Sequence, residues 1–418
     1  MKKVICALMV VCMLVGLCGC TKTPYEVAAR QITCDDENLV YVETNPDDEF
    51  KNATADFAAE LFASTYEEGK NTLVSPVSVM LCLGMVANGA SEDTLKEFEE
   101  VLGQDITMEE LNQYYATYRK MLVNGSNKSV SIANSIWIKE WDKFVVKEDF
   151  VKKNETFYDA QIYQAPFDGT TVKDINHWIN ENTNGMIPGI INELPSESLM
   201  VLVNALAFEG EWVAPYYTDQ VRDYNFTNIN GQVEIADGLR CYEYAYMEDE
   251  NTVGFVKDYT NGYKLVVFLP DEDVNFGEYV TSFTGEKYLG LVNNIQNEKT
   301  FTIIPKFTYD YEIKLNQTLM DMGISSAFDP KTADFSGMYE ENDYVKDVHI
   351  SDVIHKTHIE MGEKGTKAAA VTAVIVKNGA TAAPEEPKEV ICDRPFVYAI
   401  VDGSTMLPVF IGSISTIS

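Results

Sequence analysis

A run of small, uncharged residues constrains the fold of this chain more than any other feature. From Ala368 to Val376 the sequence reads AAAVTAVIV, with EKGTK before it and KNGATAAPEEP after it. Strands favour larger β-branched and aromatic side chains, so three consecutive alanines make a poor permanent strand. At alternate positions from Thr366 to Val374 every side chain is small or apolar, and this face could enter a packed sheet without burying a charge. The run therefore predicts a segment with two states, an exposed loop and an inserted strand.

Five further motifs follow one another along the chain. They are NTLVSPVSV from Asn71, NGAS from Asn88, VNALAFEGEW from Val203, RPFVYAI from Arg394 and LPVFIG from Leu407. Together with EKGTKAAAVTAV, and in the same order, they resemble the serpins, the serine protease inhibitors that insert a cleaved loop into a β-sheet. The resemblance extends over nearly all of the chain after Phe50.

The resemblance implies an α+β serpin fold, in which N-terminal helices pack on large mixed β-sheets and a reactive-centre loop is exposed. It also implies a suicide substrate. A serine protease cleaves the loop and becomes acylated, and the freed loop inserts into the central sheet and leaves a covalent complex. Two alternatives stay open at this point: a non-inhibitory serpin-fold binding protein, and an inhibitor of trypsin-like or cysteine proteases.

The same resemblance assigns roles to individual residues. Trp212 matches the aromatic residue at the breach, where insertion begins. The shutter, a polar cluster beneath the point where the central sheet parts, corresponds to Ser75, Ser78, Asn204 and His355. The hinge corresponds to Glu363, Gly365, Thr366, Ala368, Ala369 and Ala370.

The reactive bond follows from the usual serpin spacing. Sixteen residues on from Glu363, this spacing implies cleavage at Gly379-Ala380, within a stretch slightly longer than is common. The bracket is therefore widened to Asn378, Thr381 and Ala382, with Thr381-Ala382 as the second choice for the bond. Small side chains suit the shallow pocket of an elastase-like or subtilisin-like protease, whereas cleavage after Lys377 would indicate a trypsin-like target.

The first residues predict export and anchorage. Lys2 and Lys3 precede an apolar run from Val4 to Val15 that is too short to span a membrane, so residues 1–19 are interpreted as a signal peptide. The sequence LCGC, ending at Cys20, resembles a bacterial lipobox, which implies a lipid-modified cysteine. The alternative is a plain signal peptide. We expect a membrane-anchored lipoprotein at the cell surface, or an extracellular protein.

The remaining chain divides into a tether and one domain. Residues 20–50 are polar and acidic without sustained periodicity, which predicts a flexible tether. Residues 51–418 contain no internal repeat or linker and are long enough for one large core. We expect this single domain to be monomeric.

Charge and cysteine spacing exclude several functions. A net charge of −33 disfavours nucleic acid and anionic membrane surfaces as partners. Outside the leader and Cys20, the cysteines are scattered without ligand spacing, so neither a disulfide framework nor a zinc site is expected. They are Cys34, Cys82, Cys241 and Cys392. No cofactor or metal is predicted.

An enzyme is also disfavoured. The four histidines accompany no GxSxG, HExxH or CxxC motif. On a strand, His355 and His358 would face opposite sides, which prevents a shared metal site.

Periodicity predicts the main elements. A helix is expected from Ala55 until Gly69, another begins at Ser75-Pro76, and Val201–Phe208 is expected to be a buried strand. Phe301–Tyr309 is expected to be a single strand.

Overall fold

The fold combines nine α-helices and eighteen strands in the part of the chain that the computed structural model describes, which is residues 25, 27–33, 41–123, 130–194, 198–366 and 386–417. The helices are α1 Asp48–Thr65, α2 Pro76–Ala87, α3 Glu92–Gly103, α4 Met108–Val123, α5 Glu148–Tyr158, α6 Gly169–Asn182, α7 Phe276–Thr281, α8 Gly285–Asn293 and α9 Asn316–Asp321. The strands are β1 Arg30–Ile32, β2 Thr72–Val74, β3 Val130–Lys139, β4 Ala160–Ala165, β5 Met200–Phe208, β6 Gly210–Glu211, β7 Val221–Thr227, β8 Val233–Glu243, β9 Tyr246–Glu248, β10 Thr252–Asp258, β11 Tyr263–Pro270, β12 Thr300–Pro305, β13 Phe307–Lys314, β14 Ile354–Gly362, β15 Gly365–Thr366, β16 Lys388–Ile391, β17 Phe396–Asp402 and β18 Pro408–Ile414. Helices dominate the first half and strands the second, which confirms the predicted α+β class.

The strands form four sheets with mixed pairing. Their strand orders are β1-β4-β3-β5, β13-β14-β15-β6, β16-β12-β8-β7 and β2-β18-β17-β11-β10-β9. The pairs β3–β4 and β12–β16 are parallel, and the other pairs are antiparallel. Because β6 follows β5 after the single residue Glu209, the first two sheets meet at that point.

Helix α1 begins earlier than the periodicity predicts. Asp47 accepts a hydrogen bond from the Phe50 amide at 3.0 Å and caps the helix, so that α1 starts at Asp48 and not at Ala55. The end of the predicted tether therefore belongs to the domain. The helix stops at Thr65, before Gly69, and buries one face on the core.

Helix α2 begins as predicted. The Ser75 hydroxyl accepts a hydrogen bond from the Ser78 amide at 3.3 Å, and Pro76 occupies the first turn, where its missing N–H costs no helical bond. Nearly every residue of α2 is buried. The helix therefore runs through the core and carries Ser75 and Ser78 inside the protein.

The prediction of one strand over Phe301–Tyr309 is wrong. The chain forms β12 and β13, which belong to different sheets and are separated by Lys306. Pro305 cannot donate to a ladder, and the Lys306 amide instead donates to Asp237 O at 2.9 Å. The strand therefore changes sheets at this point.

Part of the predicted tether is ordered, which corrects that prediction. Strand β1 adds to the edge of β4, with Arg30 opposite Gln164 and Ile32 opposite Ile162. We call Tyr25 and residues 27–33 the amino-terminal strap. Its order comes from backbone pairing, which polar composition does not reveal. Cys20 and the signal peptide lie outside the described residues.

Two hydrophobic clusters fill the interior. The larger joins α1 and α2 to the six-stranded sheet. The smaller lies between α6 and the β1-β4-β3-β5 sheet and includes Trp137, Ile175, Trp178 and Val203. Within the described ranges, every helix is too short or too polar to cross a bilayer.

A substitution at Gly254 tests the close packing of the six-stranded sheet. A Cβ at this position would lie 2.3 Å from the Val267 carbonyl oxygen, so Gly254→Ala should lower the free energy of unfolding by about 1–3 kcal/mol or more. Chemical denaturation measures the change. Gly290→Ala is the control, because its Cβ would meet nothing within 4 Å on exposed α8 and should stabilise by roughly 0.5–1 kcal/mol. Equal stability of the two variants would contradict the described close approach.

Candidate functional site: the hinge and the cleft beside it

Two residues of the predicted hinge lie within a sheet. Gly365 and Thr366 form β15, which pairs with Met361 and Gly362 of β14 on one side and with β6 on the other. The hinge therefore begins as a short strand between β14 and β6. The remaining predicted hinge residues, Ala368, Ala369 and Ala370, lie outside the described residues, as do the predicted reactive-bond residues Asn378, Gly379, Ala380, Thr381 and Ala382.

Gly365 is required at its position. Its φ of +153° lies in a region that side chains disfavour, and a Cβ would lie 1.9 Å from the Gly210 carbonyl oxygen. The backbones of β15 and β6 can approach this closely only because Gly365 has no side chain.

Thr366 is anchored by a buried hydrogen bond. Its side chain is 3% exposed, and its hydroxyl lies 2.7 Å from the Tyr259 hydroxyl. Burial raises the pKa of Tyr259, so that its hydroxyl stays protonated. This bond pairs two buried hydroxyls, and the Thr366 hydroxyl also lies 3.8 Å from Met361 Sδ.

Trp212 lies against both Tyr259 and the hinge turn. Its ring stacks on Tyr259 with centroids 4.1 Å apart, and its Nε1 donates to Gly362 O at 3.0 Å. Its backbone amide donates to Lys364 O at 2.9 Å. The residue that the sequence assigns to the breach is thus in direct contact with the start of the hinge.

Glu363 is held by its backbone and its side chain. Its carbonyl accepts from the Tyr216 amide at 2.8 Å, and its carboxylate lies 2.8 Å from Lys306 Nζ. The hydrogen bond with Lys306 lowers the pKa of Glu363 and raises the pKa of Lys306. Both side chains are about one-third exposed, so the pair adds at most about 1 kcal/mol.

A cleft separates β5 from β14. In the described part of the chain these strands do not pair with each other, and each is an edge of its own four-stranded sheet apart from the short β15. The cleft has a volume of about 310 Å³. Residues 200–204 line one side, residues 350–357 line the other, and α2 contributes Ser75, Ser78 and Cys82.

The four residues that the sequence assigns to the shutter all line this cleft. The Ser75 amide donates to His355 Nε2 at 3.0 Å, and the Ser75 hydroxyl donates to Val409 O at 2.8 Å. The Ser78 hydroxyl donates to Asn204 Oδ1. Because the Ser78 amide also donates to Ser75, the cluster is continuous.

The polar cluster extends further than the sequence indicates. Asn204 Nδ2 donates to Asn134 Oδ1 at 2.6 Å, and Asn134 Nδ2 donates to Tyr158 O at 2.7 Å. The Tyr158 hydroxyl then donates to Asn112 at 2.7 Å. Asn134 shares one face of β3 with Val130, Ile132, Ile136 and Ile138. A polar residue in this alternating apolar series could have indicated a member of the polar cluster from the sequence alone.

Tyr259 and Lys306 were also missed, and neither carries a local signal. Tyr259 precedes the turn at Gly262, and Lys306 lies at the break between β12 and β13. Tyr259 contacts Thr366, 107 positions away in the chain, and Lys306 contacts Glu363, 57 positions away. Periodicity within a window of a few residues does not detect such contacts.

The described residues include no group of three side chains suited to hold a metal. His355 is buried, whereas His358 lies on the opposite face of β14 and contacts Asp310 at 2.8 Å. Cys82, Cys241 and Cys392 are free thiols, and Cys34 lies outside the described residues.

His355 predicts a pH-dependent stability. Burial lowers its pKa from an ordinary value near 6.5 to about 4, so the unfolded chain binds more protons than the folded chain between these values. The free energy of unfolding should therefore fall as the pH drops from about 6.5 to 4, by up to about 1.4 kcal/mol per pH unit. Denaturation at several pH values measures this slope.

His355→Gln, which keeps an acceptor for the Ser75 amide, should flatten the slope between pH 6.5 and 4. If this variant keeps the slope of the parent protein, His355 is not its source.

Comparison with known proteins agrees with this geometry. The family model described as Serpin (serine protease inhibitor) matches residues 52–417. The native state of the thermophilic serpin tengpin superposes with a TM-score of 0.83 and 42% identity, covering 90% of this chain and 96% of that one. A serpin-like protein of Thermococcus kodakarensis is 28% identical over 371 residues, 86% of this chain and 84% of its own. A leukocyte elastase inhibitor of Xenopus tropicalis is 27% identical over 383 residues, 87% of this chain and 98% of its own. The chain belongs to the serpin family, whose members are generally protease inhibitors and not catalysts.

Proposed function

We propose that this chain is a suicide inhibitor of serine proteases that works by loop insertion. The observation that carries the proposal is the position of Gly365 and Thr366 between β14 and β6, at one end of the cleft that separates β5 from β14. A strand that continued from Thr366 would enter this cleft. Strand addition then supplies main-chain hydrogen bonds to both edges.

The side chains that follow Thr366 suit this insertion. Thr366 faces the buried Tyr259, and alternate residues of a strand share one face. Ala368, Ala370, Thr372 and Val374 would therefore follow it inward. None of them carries a charge, so insertion leaves no buried ion without a partner.

The covalent step consumes one peptide bond of the inhibitor. The protease serine Oγ attacks the carbonyl carbon of Gly379, the bond to the Ala380 nitrogen breaks, and that amine leaves with the proton taken from the serine. The product is an ester between protease and loop. Insertion of about fourteen residues at roughly 3.3 Å each then carries the protease some 45 Å before water can hydrolyse the ester.

The target class follows from the loop sequence. Small residues around Gly379-Ala380 favour an elastase-like or subtilisin-like protease. The leukocyte elastase inhibitor among the relatives supports the same class. The protein is proposed to act as a monomer, without a cofactor.

We also propose that Cys20 carries lipid and anchors the mature protein at the cell surface. The support is the LCGC sequence after a short apolar run. Two acyl chains are enough for stable membrane attachment, whereas one is marginal.

Thr366 provides the main functional test. Thr366→Arg places a guanidinium at the buried hinge position from which insertion continues, where its desolvation opposes the pairing of β15, and should convert the inhibitor into a substrate. Incubation with elastase and subtilisin, followed by denaturing gels, should show stable complexes for the parent protein and cleavage products alone for the variant. Thr366→Ser keeps the hydroxyl that pairs with Tyr259 and should keep most of the inhibition. Absence of complexes with any serine protease for the parent protein would favour a non-inhibitory binding protein.

The reactive bond is tested by mass spectrometry of the peptide released on complex formation. We expect its amino terminus at Ala380, from cleavage of Gly379-Ala380 within the bracket of bonds from Asn378-Gly379 to Thr381-Ala382. Elastase should be inhibited faster than trypsin, because the bracket lacks a basic residue. A terminus at Asn378, with trypsin inhibited faster, would assign a trypsin-like target through Lys377.

Anchorage is tested by Cys20→Ser. The variant should lose acylation and leave the membrane fraction, since the thiol is the only attachment point proposed. Cell fractionation with detection of the domain measures this. Cys18→Ser is the control and should stay membrane-bound, and an unchanged membrane fraction for Cys20→Ser would refute the anchor.

A further inference from the structure

The amino-terminal strap joins the domain at one particular end of the β1-β4-β3-β5 sheet. Pairing places Arg30, Gln164, Ile138 and Met200 in one row across the four strands. We call this end the lower pole. Phe208 ends β5 at the other end, close to Gly210 and the hinge, which we call the hinge pole. The eight residue steps along β5 separate the two poles by about 26 Å.

A buried carboxylate fastens the strap. Asp174 of α6 is 1% exposed and accepts hydrogen bonds from the Tyr25 hydroxyl at 2.6 Å and from the amides of Ala28 and Ala29 at 3.1 and 3.0 Å. The Tyr25 ring also lies 4.2 Å from the His177 ring, between centroids. Detachment of the strap would leave the buried carboxylate without these three donors, so the attached state is favoured.

The strap shortens the chain between the domain and Cys20. Five residue steps join Cys20 to Tyr25, which can span at most about 18 Å. Measured instead to Tyr41, where the described chain resumes, the twenty-one steps from Cys20 could span about 76 Å. The strap therefore confines a modified Cys20 to the neighbourhood of α6 and the lower pole.

The surface beside the strap is less acidic than the chain as a whole. Residues 139–153 contain five lysines and four carboxylates, a net charge of +1, whereas the whole chain carries −33. From this stretch Trp141, Asp142, the 53% exposed Val145, Glu148 and Lys152 line one groove with Arg30 of the strap, so the groove carries two cations and two carboxylates. Anionic lipids repel an acidic surface, and this neutral groove can therefore approach a bilayer with less repulsion than the average of a chain that carries −33.

We propose that the strap orients the anchored protein with its lower pole toward the lipid bilayer and its hinge pole toward solvent. This inference rests on the proposed lipid anchor at Cys20. In this orientation the reactive loop meets proteases that arrive from solution. Loop insertion then carries the captured protease toward the membrane.

Two exposed valines provide a matched pair of reporters. An azide-bearing amino acid is introduced at Val145 near the lower pole or at Val213 near the hinge, where the side chains are 53% and 62% exposed. Each lipidated protein is coupled to a fluorophore and reconstituted in vesicles that carry nitroxide-labelled headgroups. We expect severalfold stronger quenching at position 145 than at position 213. Equal quenching, or stronger quenching at position 213, would overturn the proposed orientation.

Asp174→Ala tests whether the strap causes the orientation. This variant removes the acceptor of the three strap hydrogen bonds, so the difference in quenching between the two positions should shrink. Asp168→Ala is the control, because it removes the cap of the same helix without touching the strap. A difference that persists in Asp174→Ala would show that the strap does not set the orientation.

Failure of the anchor is distinguished from failure of the orientation by vesicle flotation. If the full-length protein does not float with vesicles, the lipid anchor is refuted. The strap is then tested in a chain that carries a hexahistidine tag directly before Thr21, held on vesicles with nickel-chelating lipids. The same difference between positions 145 and 213 is expected there, and its absence would refute the role of the strap.

Discussion

The hydrogen bond between Thr366 and Tyr259 is the interaction on which the candidate site depends. It fixes the first hinge residues in the sheet, and Tyr259 in turn stacks on Trp212, which contacts the hinge turn. Around it the turn is held mainly by backbone groups, including the bond from the Tyr216 amide to Glu363 O. The attachment of the hinge turn therefore depends little on the identity of most of its side chains. It depends strongly on the absence of a side chain at Gly365.

The cleft and the hinge are connected through the chain. Strand β5 lines the cleft and β6 pairs with the hinge, and only Glu209 separates them in the chain. The polar cluster around Ser78 and Asn204 links β5 to α2 beneath the same cleft. A change in the separation of β5 and β14 must therefore also move the strand that holds Gly365, because the two are covalently continuous.

The sequence predicts those features that depend on local pattern or on family motifs. The start of α2 follows from Ser75-Pro76. Trp212, which contacts the hinge turn, belongs to the family motif VNALAFEGEW. The strap was not predicted, because its order comes from pairing with β4 and from a carboxylate in a distant helix. Tyr259 was missed for the same reason. The break at Lys306 was detectable, since Pro305 cannot continue a ladder.

The two-residue strand β15 has a kinetic consequence. Forming the first pairs of a new strand closes a loop and fixes several dihedral angles before many hydrogen bonds compensate, so initiation is the slow part of strand growth. In this protein the pairs of Gly365 and Thr366 already exist before any bond in the loop is cut. Each later residue of an inserting strand would form its hydrogen bonds next to a pair that is already made. In the proposed mechanism, elongation from this nucleus would shorten the interval in which an acylated protease can hydrolyse its ester and escape.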